Sequence, residues 1–163
     1  MIIALTGTPG CGKTTISKKL SKKYEIVDLN KMIKDKKLYD SYDRKRKTYI
    51  VDVKKIDKYI KNLKGNVIID SHLSHLLNHI DLVIVLRCKP NILESRLKKK
   101  KWNDCNKIRE NVEAEMISLI SWEARQRYKK VFDVDTSKSL GINTIERIIN
   151  GKGAKYKRQI DWL

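Results

Sequence analysis

At 163 residues the chain is long enough for one α/β domain with a full core and too short for two ordinary ones. Its 37 Lys and Arg against 19 Asp and Glu give a net charge of +18, more than solubility needs, so the excess reflects either a polyanionic partner or biased genome composition or a hot habitat. No apolar run reaches membrane-spanning length, Leu5 leads into a glycine loop without a cleavable leader, and Cys11, Cys88 and Cys105 lack paired spacing; a membrane, disulfide-framework or zinc protein is not expected, and a soluble, reduced, cytoplasmic one is.

In chain order, the apolar run Met1 to Leu5 predicts a buried strand and Ile16 to Tyr24 a helix. Between them Gly7-Thr8-Pro9-Gly10-Cys11-Gly12-Lys13-Thr14-Thr15 satisfies G-x-x-x-x-G-K-[ST] in the strand, loop, helix context that the pattern requires. Gly7, Gly10 and Gly12 let backbone N–H groups approach phosphate oxygens where a Cβ would intrude. Lys13 opens the helix and offers an ammonium to the β- and γ-phosphates, with roughly half a positive charge from the helix N-terminus behind it. The Thr14 hydroxyl is the expected Mg²⁺ ligand. A bound nucleoside triphosphate follows.

Glu25 to Asp28 reads as a short strand ended by Asp28, and Leu29 to Lys37 as a helix carrying Leu29, Met32 and Ile33. Residues 38 to 49 show no strand or strong helix period; Tyr39, Asp40, Tyr42 and Asp43 form either an ordered recognition loop or a segment whose tyrosines pack on the core, followed by the basic run Arg44 to Lys47. Thr48 to Val53 reads as extended and Val53 to Leu63 as a helix ended near Gly65.

Asn66-Val67-Ile68-Ile69-Asp70-Ser71-His72 has the form of a Walker B strand, buried on both faces and delivering a carboxylate at the C-terminal edge, where open α/β sheets bind ligands. Asp70 is expected on Mg²⁺, directly or through water. If the extended backbone continues, His72 projects on the same side and orients a water or a substrate hydroxyl; otherwise it caps or packs. His75 and His79 have no such placement.

Asp81 to Arg87 is a further buried strand, and Pro90 opens a helix with Leu93, Arg96 and Leu97. That helix runs into Lys98 to Lys101 and Trp102, where mutual repulsion predicts a phosphate-seeking lid. A long helix is expected over 106 to 128, a last strand over Val131 to Asp135 and a closing helix over Ile142 to Ile149. The basic tail from Gly151, ending Trp162-Leu163, either packs back or serves as an interaction arm.

Taken together, GTPGCGKTT at 7 to 15, LYDSYD at 38 to 43, YIVD at 49 to 52, VIIDSH at 67 to 72, VLR at 85 to 87, RL followed by W, and KIRENVEAE at 107 to 115 resemble the adenylate kinase isoenzyme 6 family. These motifs cover roughly the first four fifths of the chain in family order. The resemblance implies a single P-loop kinase domain over residues 1 to 163: a five-stranded parallel sheet flanked by helices, with a monophosphate-binding insertion at 28 to 51 and a short lid at 99 to 109. It implies a nucleoside monophosphate kinase with ATPase activity, acting on ATP and AMP with Mg²⁺, and partnered by a small-subunit ribosomal protein and pre-ribosomal RNA during ribosome maturation.

Within that pattern Gly10, Gly12, Lys13, Thr14, Thr15 and Lys100 bind ATP, Thr14 and Asp70 hold the metal, and Lys13, Asp70, His72 and Arg96 are catalytic, Arg96 through a phosphate contact. Asp28, Tyr42, Asp43, Asp52 and Arg87 are the implied acceptor residues. The chain departs from the family in three places. Lys100 stands where a lid arginine is usual, a point charge for a bidentate fork. Arg44 to Lys47 replace an acidic stretch, and no arginine is evident in the insertion, Lys31 and Lys34 being the nearest cations.

Overall fold

The computed structural model describes residues 1–45, 48–100 and 104–163. In chain order they form β1 (Ile2–Gly7), α1 (Lys13–Leu20), β2 (Glu25–Asp28), α2 (Leu29–Asp35), β3 (Tyr39–Asp43), β4 (Thr48–Val51), α3 (Val53–Lys61), β5 (Val67–Asp70), β6 (Leu82–Arg87), α4 (Pro90–Lys99), α5 (Cys105–Met116), α6 (Leu119–Arg127), β7 (Val131–Asp135) and α7 (Ile142–Ile149). Short 3₁₀ turns lie at Ser74–Leu76 and Ala154–Tyr156.

A five-stranded sheet has the order β2-β5-β1-β6-β7, and every pair in it is parallel. Strands buried on both faces must be apolar on both, which is why these runs are continuous rather than alternating. β1 shows the division directly. Ile3 and Leu5 join Ile16, Leu20, Leu93, Leu97 and Ile145 in one core layer, while Ile2 and Ala4 join Ile33, Ile56, Ile60 and Ala124 in the other. Because the chain places β5 on one side of β1 and β6 on the other, the C-terminal end of β1 is the switch point of the sheet, and the glycine loop leaves from there.

Three sequence expectations are corrected. Residues 39–43 are a strand rather than an irregular loop: β3 pairs antiparallel with β4, which lies in the segment expected to be extended, with a register shift between Tyr39 and Ser41. Tyr39 and Tyr49 approach to 4.5 Å between ring centroids and Tyr42 and Tyr49 to 5.0 Å, so cross-strand aromatic contact supplies the pairing that the Asp-Tyr pattern conceals. Tyr39 and Tyr49 pack on the second core layer, whereas Tyr42 stays exposed. The helix expected over 106–128 is two helices, broken where Ser118 takes a left-handed φ of 56°. The break has a cause, since the Ser118 hydroxyl accepts from Arg87 at 2.8 Å and donates to the Ile160 carbonyl at 3.2 Å. Finally, the extended backbone of β5 stops at Asp70: the Ser71 carbonyl accepts from the Ser74 hydroxyl, turning the chain into the 3₁₀ segment.

The tail packs back. Tyr156 covers the first core layer, and the backbone N–H of Ile160 donates to Asp133 at 2.9 Å. Of the expected lid, Lys99 ends α4 and Asp104 caps α5 by accepting from Asn106 and Lys107; Lys101, Trp102 and Asn103, like Arg46 and Lys47 of the basic run, lie outside the described residues. No helix among the described residues is long and apolar enough to cross a membrane.

Candidate active site

The loop after β1 is shaped by glycines at positive φ, where any side chain would be strained. At Gly7, with φ 140°, an added Cβ would collide with the Leu86 carbonyl of the neighbouring strand. At Gly10, with φ 98°, it would come within 2.7 Å of Leu93 of α4. The loop is therefore seated on β6 and α4; the Cys11 N–H closes it onto the Thr8 carbonyl.

Above it lies a cavity of about 220 Å³ lined by Pro9, Gly10, Gly12, Lys13, Thr14, Thr15, His72, Leu97 and Lys100. Thus Gly10, Gly12, Lys13, Thr14, Thr15, His72 and Lys100, singled out from widely separated motifs, meet in one place. The Lys13 ammonium folds over the loop, donating to the Gly7 carbonyl at 2.5 Å and the Thr8 carbonyl at 3.2 Å. Burial lowers its pKa, and the Lys100 charge adds to that. An anion entering the cavity would relieve both penalties.

Asp70 stands at the end of β5, in register with Leu5 on one side and Asp28 on the other. Its Oδ2 accepts from the Ser17 hydroxyl at 2.6 Å. Ser17 is four residues after Lys13 on α1, the spacing that puts two side chains on one helix face, and sequence reading passed over it. Burial raises the Asp70 pKa, the Ser17 hydrogen bond and the Lys13 charge opposing it. One carboxylate with a second oxygen unclaimed among the described residues, and a hydroxyl at Thr14 on the cavity wall, suit Mg²⁺, which takes few protein ligands and completes its shell with water and phosphate.

His72 is exposed on the cavity wall although the strand does not carry it there. Thr6 at the end of β1 holds its backbone instead, donating to the His72 carbonyl at 3.1 Å. Partial desolvation against the cavity wall, helped by the Lys13 charge, lowers the His72 pKa, so the neutral imidazole is favoured. His75, which sequence reading left unplaced, is buried between Thr6 (Nδ1 to Oγ1, 3.0 Å) and Glu123 (Nε2 to Oε2, 3.0 Å). Burial lowers its pKa too, so Nε2–H donates to Glu123, and Nδ1 competes with the His72 carbonyl for the one Thr6 hydroxyl proton.

A second cavity, of about 620 Å³, adjoins the first. Pro9 and His72 line both; the rest of its wall includes Thr8, Leu73, His75, Lys107, Asn111 and Glu123. Lys107 and Asn111 come from α5; both lie in the KIRENVEAE motif, and Lys107 within the expected lid, but the sequence reading gave neither a role of its own.

The expected acceptor residues do not gather there; none of Asp28, Tyr42, Asp43, Asp52 and Arg87 lines either cavity. Asp28 and Asp52 cap α2 and α3, accepting from the N–H groups of Lys31 and Lys54. Asp43 accepts from the Lys45 N–H within the hairpin turn. Arg87 is a correction. It is 1% exposed, and its N–H groups go to Glu115 Oε1, Asp133 Oδ2, the Ile160 and Glu115 carbonyls and Ser118. A guanidinium has five N–H donors, and these partners take them all, so none remains for a substrate. Arg96 also misses the phosphate cavity: it donates to the Thr136 and Ser137 carbonyls at 2.7 and 3.2 Å and to Cys88 Sγ at 3.4 Å.

A parallel sheet with this strand order and a glycine loop at its switch point defines a P-loop kinase fold. Solved structures agree on the fold: a deoxyadenosine kinase from M. mycoides with bound dATP (22% identity, TM-score 0.58, 92% of this chain and 100% of that one) and a shikimate kinase from Acinetobacter baumannii with shikimate (14%, 0.61, 94% and 93%). Residues 3–118 match the family described as AAA domain. Three archaeal relatives, each named "putative adenylate kinase", align along the chain: from Methanosarcina barkeri at 40% identity (100% of this chain, 98% of the relative), Saccharolobus solfataricus at 38% (100% and 88%) and Methanocaldococcus jannaschii at 37% (99% and 93%). The chain belongs to this adenylate kinase-like family of AAA-domain proteins.

Proposed function

We propose that the protein is a nucleotide kinase and, more finely, that it transfers the γ-phosphate of ATP to AMP, giving two ADP. The observation that carries this is the sharing of Pro9 and His72 by two cavities, one lined by the P-loop and the other large enough for a second substrate. A water-activating site needs only the first. The names of the archaeal relatives support the nucleotide class and AMP as the acceptor to be tried first.

In this reading the P-loop N–H groups and the N-terminus of α1 bind the β-phosphate, and Lys13 swings from the Gly7 and Thr8 carbonyls onto the γ-phosphate. Lys100 adds a second cation from the far wall. Mg²⁺, held by Thr14 and Asp70, would neutralise charge on the phosphate oxygens. The protein's own task is positioning and charge stabilisation, because phosphoryl transfer needs little covalent chemistry from it. Finer still, the DSH ending of β5 and the Tyr-Asp hairpin support the isoenzyme 6 reading.

A second reading, an ATPase that acts on a ribosomal protein or pre-ribosomal particle, is favoured by the placement of a neutral His72 at the open junction, where it can orient water, and by the net charge of +18. One assay separates the two. ADP formation from ATP and Mg²⁺ is measured with and without AMP; a large stimulation by AMP is expected, and a rate indifferent to AMP would give the second reading precedence.

A further inference from the structure

Glu115 is a buried carboxylate that the phosphate-transfer reading does not use. It lies in the last turn of α5, 2% exposed. Its Oε2 accepts from the hydroxyl of Thr8, inside the P-loop, at 2.7 Å. Its Oε1 accepts from Arg87 Nε at 2.7 Å, from the Cys88 N–H at 3.1 Å and from the indole Nε1–H of Trp162 at 2.9 Å. The P-loop, the end of β6 and residue 162 therefore converge on one side chain.

Both flanks of this carboxylate are tied to other parts of the fold. On the P-loop side the Thr8 carbonyl accepts from the Cys11 N–H at 3.1 Å, closing the loop, and from Lys13 Nζ at 3.2 Å. On the tail side Ile160 is held at both ends, its N–H by Asp133 at 2.9 Å and its carbonyl by Arg87 and Ser118 at 2.8 and 3.2 Å. The Trp162 ring sits 5.8 Å from the Arg87 guanidinium. Asp133 completes the cluster with Ser121 and Arg125. Among the described residues no buried side-chain nitrogen or oxygen lacks a partner. In such a network, removal of one donor is felt by the groups that shared its acceptor.

We propose that Glu115 is a positioning residue for the nucleotide site and that segment 160–162 is the strap that sets it: Trp162 and Ile160 orient the Glu115–Arg87 pair, and Glu115 in turn fixes Thr8 and the resting place of Lys13. The strap does not reach the cavity, since neither Glu115 nor Trp162 lines it. It acts by preorganising the loop, and preorganisation raises affinity without touching the ligand. This deepens the reading of the P-loop cavity as a nucleotide site and rests on it.

The test is calorimetric titration of the whole chain with the non-hydrolysable triphosphate analogue AMP-PNP and Mg²⁺. Trp162→Phe keeps an aromatic ring, though a smaller one, and removes the indole N–H; its affinity is expected to fall about three- to tenfold. Turnover at saturating ATP should stay within about twofold, the pattern of lost ground-state binding. Thr8→Val should weaken the analogue similarly, and Thr8→Ser, which keeps the hydroxyl, should restore it. If both ends act through Glu115, the double variant Thr8→Val/Trp162→Phe should be no weaker than the worse single one. Leu163→Ser, at a side chain 84% exposed, should change nothing. Parent affinity in Trp162→Phe with a lowered melting temperature would reduce the strap to a structural brace and overturn the proposal, as would losses that multiply in the double variant. Lys13→Ala separates this from the underlying reading: if that variant still binds the analogue like the parent, the nucleotide site itself is misplaced.

Discussion

The donor and acceptor halves of the proposed site are built on opposite principles. On the donor side, contiguous residues of one loop sit on strands that are buried on both faces, so backbone, ammonium and hydroxyls arrive together with almost no freedom. On the acceptor side, four of the five implied residues are scattered through a hairpin and two helix caps, and each of the four already answers a local need: Asp28 and Asp52 cap helices, Asp43 holds a turn, and Tyr42 leans on Tyr49. A phosphate cradle can be specified by a short peptide because its ligands are mostly main-chain N–H groups. A pocket for a second substrate needs side chains from several elements, and the proposed acceptor cavity would draw on Lys107 and Asn111 of α5 beside His72.

The sharpest test of the donor half is Lys13→Ala. It should lower ADP formation by at least about a hundredfold, the scale for removing one preorganised charge at a transferring group, while circular dichroism and melting stay near those of the parent. Asp70→Asn comes next, with an expected loss of about ten- to a hundredfold and a higher Mg²⁺ requirement. Burial raises the pKa of Asp70 in the metal-free protein, so Mg²⁺ affinity, which needs the carboxylate ionised, should begin to weaken on acidification above the ordinary aspartate range; a Mg²⁺ titration that stayed constant through that range would remove Asp70 from the metal.

Smaller effects probe the junction and the hairpin. His72→Ala should cost ATP hydrolysis more than transfer to AMP, and equal losses would end that division of labour. The sign of its pH dependence follows from partial desolvation and from Lys13, which disfavour the imidazolium. Neutral His72 persists below the ordinary histidine range, and water-dependent turnover in the parent should persist with it. Tyr42→Ala is expected to matter least, raising the KM for AMP about two- to fivefold through lost aromatic area and leaving that for ATP unchanged. An unchanged KM for AMP would detach the hairpin from the acceptor half and sharpen the contrast between the halves.

Much of the fold was legible because parallel strands announce themselves as unbroken apolar runs, and Pro90 marks a helix start where its missing N–H costs little. The donor residues were legible for a related reason: G-x-x-x-x-G-K-T specifies its own geometry. Elsewhere the local signal pointed the wrong way. The helix break at Ser118 has neither glycine nor proline to mark it, since it is imposed by hydrogen bonds to Arg87 and Ile160, remote in sequence. Arg87, at the end of a buried strand, had the placement expected of a ligand-binding residue, yet partners from α5, β7 and the tail took its donors. His75 showed no placement signal because Thr6 and Glu123 reach it from other elements.

The sequence alone determined that a triphosphate cradle follows a buried strand and opens a helix, because that cradle depends on local backbone geometry and on residues adjacent in the chain; the strand order of the structure then put that strand at the centre of the sheet. Only the tertiary structure decided what stands behind and beside it: Ser17 on Asp70, Thr6 behind His72, Glu115 between Thr8 and Trp162, and a second cavity meeting the first at Pro9 and His72. The physical reason is range. A phosphate-binding turn is closed by hydrogen bonds a few residues long, whereas buried charge must be satisfied by whatever the packed fold brings near, and that is settled only when all the layers are in place.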